Sequence, residues 1–258
     1  MKSLSLYVER DSFIHRVDPI TKLFYIFAAI IVPFVMKDLT VSIVCAAVSL
    51  ILLAVGKVLR NAITVFACLF LIMITIFLIQ ALANINNATV VFSISGIHFY
   101  AEGMINGVKI IMRMTDMVAA FLILILTTKP SDLVEDLIRA GFSPRIGYVI
   151  MSIFQIVPHM AGAIDVITDA QRARGVETKG SLPVRIKAFL PLLGPVVLNS
   201  FMNTKERAMA LEVRAFDAKN KKSFLNEAVN FRHAMAYRVL FVLLAVSAVA
   251  WRAGGVLL

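Results

Sequence analysis

Long apolar segments separated by short polar ones dominate the pattern of this sequence. A membrane-spanning helix needs roughly 17–25 mostly apolar residues. Five segments meet that requirement, namely 20–36, 39–55, 62–82, about 107–128, and 237–255. The pattern predicts an all-α integral membrane protein with about five transmembrane helices. It also predicts three regions: an N-terminal arm with four transmembrane helices (1–128), an inserted region (129–236), and a C-terminal transmembrane helix (237–258).

The inserted region has a different pattern, in which apolar and polar stretches alternate. A short amphipathic helix is predicted over 131–140, with Gly141 at its C-terminal end. Two longer segments follow, 145–173 and 182–218, and each begins apolar and ends polar. We interpret them as long amphipathic helices along the inner leaflet, with their polar ends in the cytoplasm.

Two further crossings in this region are the alternative interpretation. Residues 146–164 are long enough to span a bilayer, but Gln155, Pro158 and His159 lie in their middle. The apolar part of the second segment is short and contains Pro191 and Pro195. Because two extra crossings leave the topology unchanged, charge alone does not distinguish the two interpretations.

Composition and charge define the class and the orientation. Apolar residues make up 60% of the 258 residues and charged residues 16%, whereas soluble domains contain about 25% charged residues. Soluble enzymes are therefore excluded. Of the 26 Lys and Arg residues, fifteen lie in 129–236 and none in 83–102. Because cytoplasmic loops collect basic residues, we expect a multi-pass plasma-membrane protein with its N-terminus and inserted region in the cytoplasm and its C-terminus outside.

An arginine flanked by small or apolar residues lies near the polar end of each long segment of the inserted region. The two sets are Ala173, Arg174 and Gly175, and Val213, Arg214 and Ala215. Arg172 shares a helix face with Asp165 and Asp169 and is predicted to pair with them. Arg174 has no such neighbour, so we predict that it meets an acidic group outside the chain. A solvated basic helix end is the alternative.

The fourth predicted transmembrane segment contains Lys109, Arg113 and Asp116. A charge in the middle of a membrane costs roughly 2.5–3.5 kcal/mol on insertion scales. Arg113 and Asp116 are three residues apart and are therefore a candidate intramembrane pair. The alternative is that they serve a stand-alone channel or secondary transporter.

Five short motifs are distributed along the chain. They are His15-Arg16-Val17-Asp18-Pro19-Ile20-Thr21-Lys22-Leu23, Leu126-Thr127-Thr128-Lys129-Pro130-Ser131-Asp132-Leu133, Phe154-Gln155-Ile156-Val157-Pro158, Ala173-Arg174-Gly175, and Ala210-Leu211-Glu212-Val213-Arg214-Ala215-Phe216. These motifs resemble those of a known family, the transmembrane T component of energy-coupling factor (ECF) transporters, which includes the cobalt-type permease subunits. The similarity covers nearly the whole chain, although Ala215 stands where the last motif usually has Gly.

The resemblance implies a non-catalytic energy-coupling subunit of an ABC-type importer for a vitamin or a metal ion. Arg174 and Arg214 would end two cytoplasmic coupling helices, each docked on one of two ABC-type ATPase subunits. The membrane part would hold a substrate-binding S component. ATP and Mg²⁺ would be bound by the ATPases, since the chain lacks G-x-x-x-x-G-K-[ST]. We expect no cofactor, no metal site among the scattered histidines, and no nucleic-acid partner.

Overall fold

The structure is a computed structural model, and it describes residues 7–83, 89–94, 97–176, 181–216, 218, 224 and 233–257. These residues are almost entirely helical, which confirms the all-α prediction. After a short 3₁₀ turn at Phe13–Arg16, the helices are α1 (Pro19–Met36), α2 (Leu39–Val55), α3 (Leu59–Ala83), α4 (Ala101–Thr127), α5 (Pro130–Arg139), α6 (Pro144–Ala173), α7 (Leu182–Val213) and α8 (Ala234–Leu257).

A small hairpin precedes α4. Strands β1 (Val90–Ile94) and β2 (Ile97–Tyr100) pair antiparallel, with Val90 opposite Tyr100 and Ile94 opposite Ile97. Helix α4 then begins at residue 101, six residues earlier than the apolar pattern predicts. Polar residues such as Glu102 therefore belong to the first turns of α4.

All five predicted transmembrane segments are helices in the structure, namely α1, α2, α3, α4 and α8. The helices whose length and composition suit a membrane span are a slightly different set. Five described helices are long and apolar enough to cross a membrane: α1, α3, α4, α6 and α8. Helix α2, with 17 residues, is at the lower limit of the length that spans a membrane. Helix α6 joins the set because its 30 residues continue through Pro158. The proline removes one backbone hydrogen bond but does not end the helix.

The chain divides into two compact units. The first runs from Ser5 to Asp136 and is completed by Ala228–Leu258. In it α4 packs against α1, α2 and α3, and α1 also packs against α8. Buried Leu53, Ala119 and Ile123 belong to its apolar core. We call it the membrane bundle.

The second unit runs from Leu137 to Glu227. Its main packing is between α6 and α7, and His159 of α6 and Asn199 and Asn203 of α7 line one small pocket between the two helices. We call it the α6–α7 unit. The structure therefore confirms two long helices in the inserted region, the second ending at residue 213.

Candidate docking site and intramembrane polar groups

Helix α6 ends in a Schellman motif. Gly175 has φ +84°, a left-handed conformation that glycine adopts without strain. Its N–H donates to the Arg172 carbonyl at 2.9 Å, and the Val176 N–H donates to the Gln171 carbonyl at 3.1 Å. These two bonds define the motif. They satisfy carbonyls that the end of a helix leaves unpaired.

Helix α7 ends in the same way, although it lacks the glycine. Ala215 has φ +52°, its N–H donates to the Glu212 carbonyl at 2.9 Å, and the Phe216 N–H donates to the Leu211 carbonyl at 3.0 Å. Arg214 and Arg174 are therefore both the last residue before a left-handed turn. The hydrogen bonds of the turn hold Ala215 in a left-handed conformation, which is unfavourable for a residue with a Cβ atom.

The side chains at both helix ends are exposed. Arg172 Nη1 donates to Asp169 Oδ1 at 3.0 Å, which confirms the predicted internal pair. Within the part of the chain that the structure describes, neither Arg174 nor Arg214 makes an ion pair or a side-chain hydrogen bond. Val213, beside Arg214, is 87% exposed. Each end thus presents a guanidinium group and small or apolar neighbours to its surroundings.

Such an end is suited to binding an acidic partner. A guanidinium group offers a planar set of donors that matches a carboxylate in two parallel hydrogen bonds. The small residues Ala173, Gly175 and Ala215 leave room for close approach, and a Cβ atom built on Gly175 would meet nothing within 4 Å.

The intramembrane charges of α4 are arranged differently from the predicted pair. Asp116 is fully buried, and its Oδ1 accepts a short hydrogen bond from the Ser49 hydroxyl on α2. Tyr25 of α1 lies with its hydroxyl 2.5 Å from Ser49 Oγ. Because the Ser49 proton is directed to Asp116, Tyr25 is the donor to Ser49. The structure thus joins α1, α2 and α4 through a chain of three polar side chains.

Arg113 lies one turn before Asp116 and does not take part in this chain. Among the described residues, Arg113 makes no ion pair with Asp116, and its buried Nε has no hydrogen-bond partner. Lys109 is half-buried, one turn further toward the start of α4. Asp116 therefore has a hydroxyl partner where the sequence suggested a cation.

A second polar cluster lies at the start of α1, where the sequence Asp18-Pro19 predicts a helix cap, with Asp18 at the N-cap and Pro19 at the first helical position. The Asp18 side chain accepts from the Thr21 N–H at 3.1 Å, and Pro19 is at the first helical position, so both cap predictions are confirmed. In addition, Asp18 Oδ2 accepts a short charged hydrogen bond from Arg238 of α8. One residue thus begins α1 and connects it to α8.

Lys22, which the sequence predicts near the membrane interface, is buried between the helices of the membrane bundle. Only 4% of the residue is exposed, and its Nζ donates to the Thr127 carbonyl at 3.1 Å and to Thr128 Oγ1 at 3.0 Å. These acceptors belong to the C-terminal end of α4, whose last carbonyls lack helical partners. Two motifs that are about 105 residues apart in the sequence therefore meet. The sequence contained a signal for this contact, because a lysine in the first turn of an apolar helix needs a hydrogen-bond acceptor if it is buried.

The N-terminal arm packs on the same end of α4. The Val8 N–H donates to the Leu126 carbonyl at 3.0 Å, and His15 Nε2 lies 2.9 Å from the Val8 carbonyl oxygen. Lys129 forms an exposed ion pair with Glu9 at 3.4 Å. The starts of α1 and α8 and the end of α4 consequently lie at one end of the membrane bundle.

A bundle of long apolar helices with polar contacts between them defines a multi-pass membrane protein. A family model described as cobalt transport protein (CbiQ) matches residues 10–224. The chain belongs to this family, and with it to the transmembrane proteins of ECF transporters.

Curated relatives agree with this assignment. The chain is similar to the energy-coupling factor transporter transmembrane protein EcfT of Staphylococcus aureus, at 30% identity over 84% of each chain. It is 29% identical to the protein of the same name from Lactococcus lactis, over 81% of this chain and 82% of the relative. The corresponding Bacillus subtilis protein is 28% identical, over 81% and 83%.

Proposed function

We propose that this chain is the energy-coupling subunit of an ECF-type importer. It links two ABC-type ATPase subunits in the cytoplasm to a membrane-embedded S component that binds a vitamin or a metal ion. Arg174 and Arg214 are the docking residues, one for each ATPase. The observation that carries the proposal is that α6 and α7 end in the same turn and present an exposed arginine.

The geometry supports two separate docking points. Each arginine follows a helix of at least 30 residues, and each is fixed by a turn with two backbone hydrogen bonds. Helices α6 and α7 pack against each other, so a displacement at the end of one long helix would also act on the other. Movement of the ATPases would thereby reach both helices.

The orientation in this proposal follows from charge. The N-terminal arm and the inserted region are cytoplasmic because they hold most of the basic residues, and the C-terminus is outside. This orientation puts Arg174 and Arg214 on the side where ATP is available. Hydrolysis takes place in the partner ATPases, which bind ATP and Mg²⁺, and the chain itself contributes no catalytic residue and no cofactor.

The test is co-purification from native membranes with Arg174→Glu, Arg214→Glu and the double variant. Removing a charged hydrogen bond from an interface and leaving its partner unpaired costs about 2–5 kcal/mol. We therefore expect each single variant to lower the yield of ABC-type ATPase, measured by quantitative mass spectrometry, by about tenfold or more. The double variant should lose both ATPases and ATP-driven uptake.

Lys205→Glu is the matched control, because it makes the same change of charge at an exposed position of α7, nine residues before Arg214. It should leave the ATPase yield unchanged. If the double variant retained both ATPases at the wild-type yield, the docking role of Arg174 and Arg214 would be refuted.

A further inference from the structure

A small pocket lies between α6 and α7, and residues on one face of each helix line it. His159 and Met160 of α6 and Asn199, Asn203 and Arg207 of α7 are among them. The described residues that line the pocket include no aspartate and no glutamate. The pocket is therefore basic, with a guanidinium group that no carboxylate in its lining neutralises.

The hydroxyl and amide groups of α7 in this pocket form hydrogen bonds within their own helix. Ser200 Oγ donates to the Val196 carbonyl and Thr204 Oγ1 donates to the Ser200 carbonyl, both at 2.8 Å. Asn203 Nδ2 donates to Asn199 Oδ1 at 3.4 Å. Because Asn199 accepts through its oxygen, its own amide N–H groups remain available as donors.

His159 and Arg207 are two further donors. Within the part of the chain that the structure describes, neither side chain makes a hydrogen bond or an ion pair. His159 is exposed and Arg207 is half-buried, so a ligand from outside reaches both. Two nitrogen donors on different helices, one of them charged, suit an oxyanion, which accepts charge-assisted hydrogen bonds.

The pocket lies where the exposed surface of both helices changes from apolar to charged. On α6, exposed Val157 precedes the change and exposed Asp165 follows it. On α7, exposed Phe201 precedes the change and exposed Lys205 follows it. A helix that lies along a leaflet has such a boundary at the level of the lipid headgroups. Basic pockets between helices on the cytoplasmic side of a membrane bind anionic headgroups.

The size of the pocket favours part of a headgroup. Its volume is about 40 Å³, and one water molecule needs about 10–15 Å³ of such space. The pocket therefore has room for the two free oxygens of a phosphodiester group, whereas the acyl chains of a lipid would remain outside. Val157 and Phe201, each adjacent in the sequence to a lining residue, provide exposed apolar surface for those chains.

We propose that this pocket binds the phosphate group of an anionic phospholipid of the inner leaflet. His159 and Arg207 donate to the free phosphate oxygens, and Asn199 adds a third donor. The proposal rests on the inner-leaflet position of α6 and α7, and it is independent of the docking role of Arg174 and Arg214. A zwitterionic lipid is disfavoured, because its ammonium group would meet the guanidinium group of Arg207.

A cysteine placed in the pocket provides the readout. Ala163 of α6 lines the pocket, whereas Ala161 is exposed and is not among the lining residues. Ala163→Cys and Ala161→Cys are made separately in a chain that also carries Cys45→Ser and Cys68→Ser. Each chain is reconstituted in phosphatidylcholine nanodiscs, and the rate of its modification by N-ethylmaleimide is measured. The additions are dioleoylphosphatidylglycerol, inorganic phosphate, and dioleoylglycerol, which has the same acyl chains but no phosphate.

We expect phosphatidylglycerol to halve the modification rate of Ala163→Cys at about a tenfold lower mole fraction than dioleoylglycerol, the factor that a hydrogen bond to a charged group provides. Arg207→Gln and, independently, His159→Leu should raise that mole fraction toward the value for dioleoylglycerol. Lys205→Gln removes a positive charge at an exposed position of α7 outside the pocket, and it should leave the mole fraction unchanged.

Equal protection of Ala161→Cys and Ala163→Cys would reveal a general effect of the lipid on the membrane and would overturn the proposal. So would equal effects of Arg207→Gln and Lys205→Gln, because the overall charge of α7 would then attract the lipid. Full protection of Ala163→Cys by inorganic phosphate alone would also overturn it, since the pocket would then be a site for small ions. Full protection by bound partner subunits in phosphatidylcholine alone would show that a protein occupies the pocket instead of a lipid.

Discussion

At the residue scale, the turns after Arg174 and Arg214 are the same structure built from different residues. Gly175 and Ala215 occupy equivalent positions, with φ +84° and +52°. A left-handed conformation costs a residue with a Cβ atom about 1–2 kcal/mol, but glycine adopts it freely. Helix α7 therefore ends in a turn that is under more strain than the turn of α6.

Ala215→Gly should relieve that strain. We expect it to stabilise the last turn of α7 by about 1 kcal/mol, which slows amide hydrogen exchange over 210–216 about fivefold. Gly175→Ala should have the opposite effect at the end of α6, with no steric clash, since the space beside Gly175 is open. Hydrogen-exchange mass spectrometry of the reconstituted chain measures both changes.

Ala208→Gly serves as the control, since it places the same substitution at an exposed position inside α7. Glycine in a helix interior is destabilising by about 1 kcal/mol, so exchange should become faster. If Ala215→Gly also made exchange faster, the conclusion that Ala215 has a left-handed conformation would be contradicted.

At the scale of the elements, two polar contacts hold the membrane bundle together at one end. Asp18 joins α1 to α8 through Arg238, and Lys22 joins α1 to α4 through Thr127 and Thr128. Between apolar helices in lipid there is little hydrophobic driving force, so packing and hydrogen bonds of this kind determine how the helices associate.

Lys22→Met should destabilise the membrane bundle. Methionine retains the length of the side chain but leaves the Thr127 carbonyl without its donor, at a cost of about 1–3 kcal/mol. The measurement is thermal unfolding in detergent, where the variant should show a lower Tm. Lys37→Met, the same change at the exposed far end of α1, should leave the Tm unchanged; a lower Tm of similar size there would contradict a specific role of Lys22.

A double-mutant cycle tests the contact between Asp18 and Arg238. Asp18→Ser removes the ion pair but retains an N-cap, since serine caps helices about as well as aspartate, and Arg238→Met removes the other partner. We expect each single variant to lose about 2 kcal/mol of the free energy of unfolding and the double variant to lose less than the sum. Strict additivity would show that the two residues do not interact.

The sequence predicts most of the helices, but it does not predict the polar contacts between different helices. Apolar periodicity and length identified α1, α2, α3, α4 and α8, because a membrane imposes a minimum length on each. The caps at Asp18 and Gly141 and the Arg172–Asp169 pair are local, so spacing along one helix predicts them. The partners of Lys22, Asp116 and Arg238 lie 67 to 220 residues away in the sequence, and no local spacing reveals them.

At the scale of the whole molecule, the contacts of the membrane bundle restrict the number of crossings between α4 and α8. The end of α4 and the start of α8 both contact the first turn of α1, through Lys22 and Asp18. They therefore lie on the same side of the membrane, and the chain between them crosses it an even number of times. Helix α6 is long and apolar enough to span, but it can do so only if α7 also crosses.

Helix α7 is poorly suited to form the second of these two membrane crossings. It is not among the five described helices whose length and composition suit a span, and it contains Pro191 and Pro195. We therefore expect neither α6 nor α7 to cross. Single cysteines at exposed Ser143 and Ala170, in a chain that also carries Cys45→Ser and Cys68→Ser, test this prediction. The two positions are about 40 Å apart along α6.

Both Ser143→Cys and Ala170→Cys should react with a membrane-impermeant maleimide in inside-out vesicles and remain unmodified in intact cells. Arg252→Cys, near the end of α8, should show the opposite pattern, because the C-terminus is expected outside. Reaction of the two α6 positions from opposite sides would mean that α6 spans the bilayer. The even number of crossings would then require α7 to span it as well, and Arg174 and Arg214 could not both be cytoplasmic docking residues.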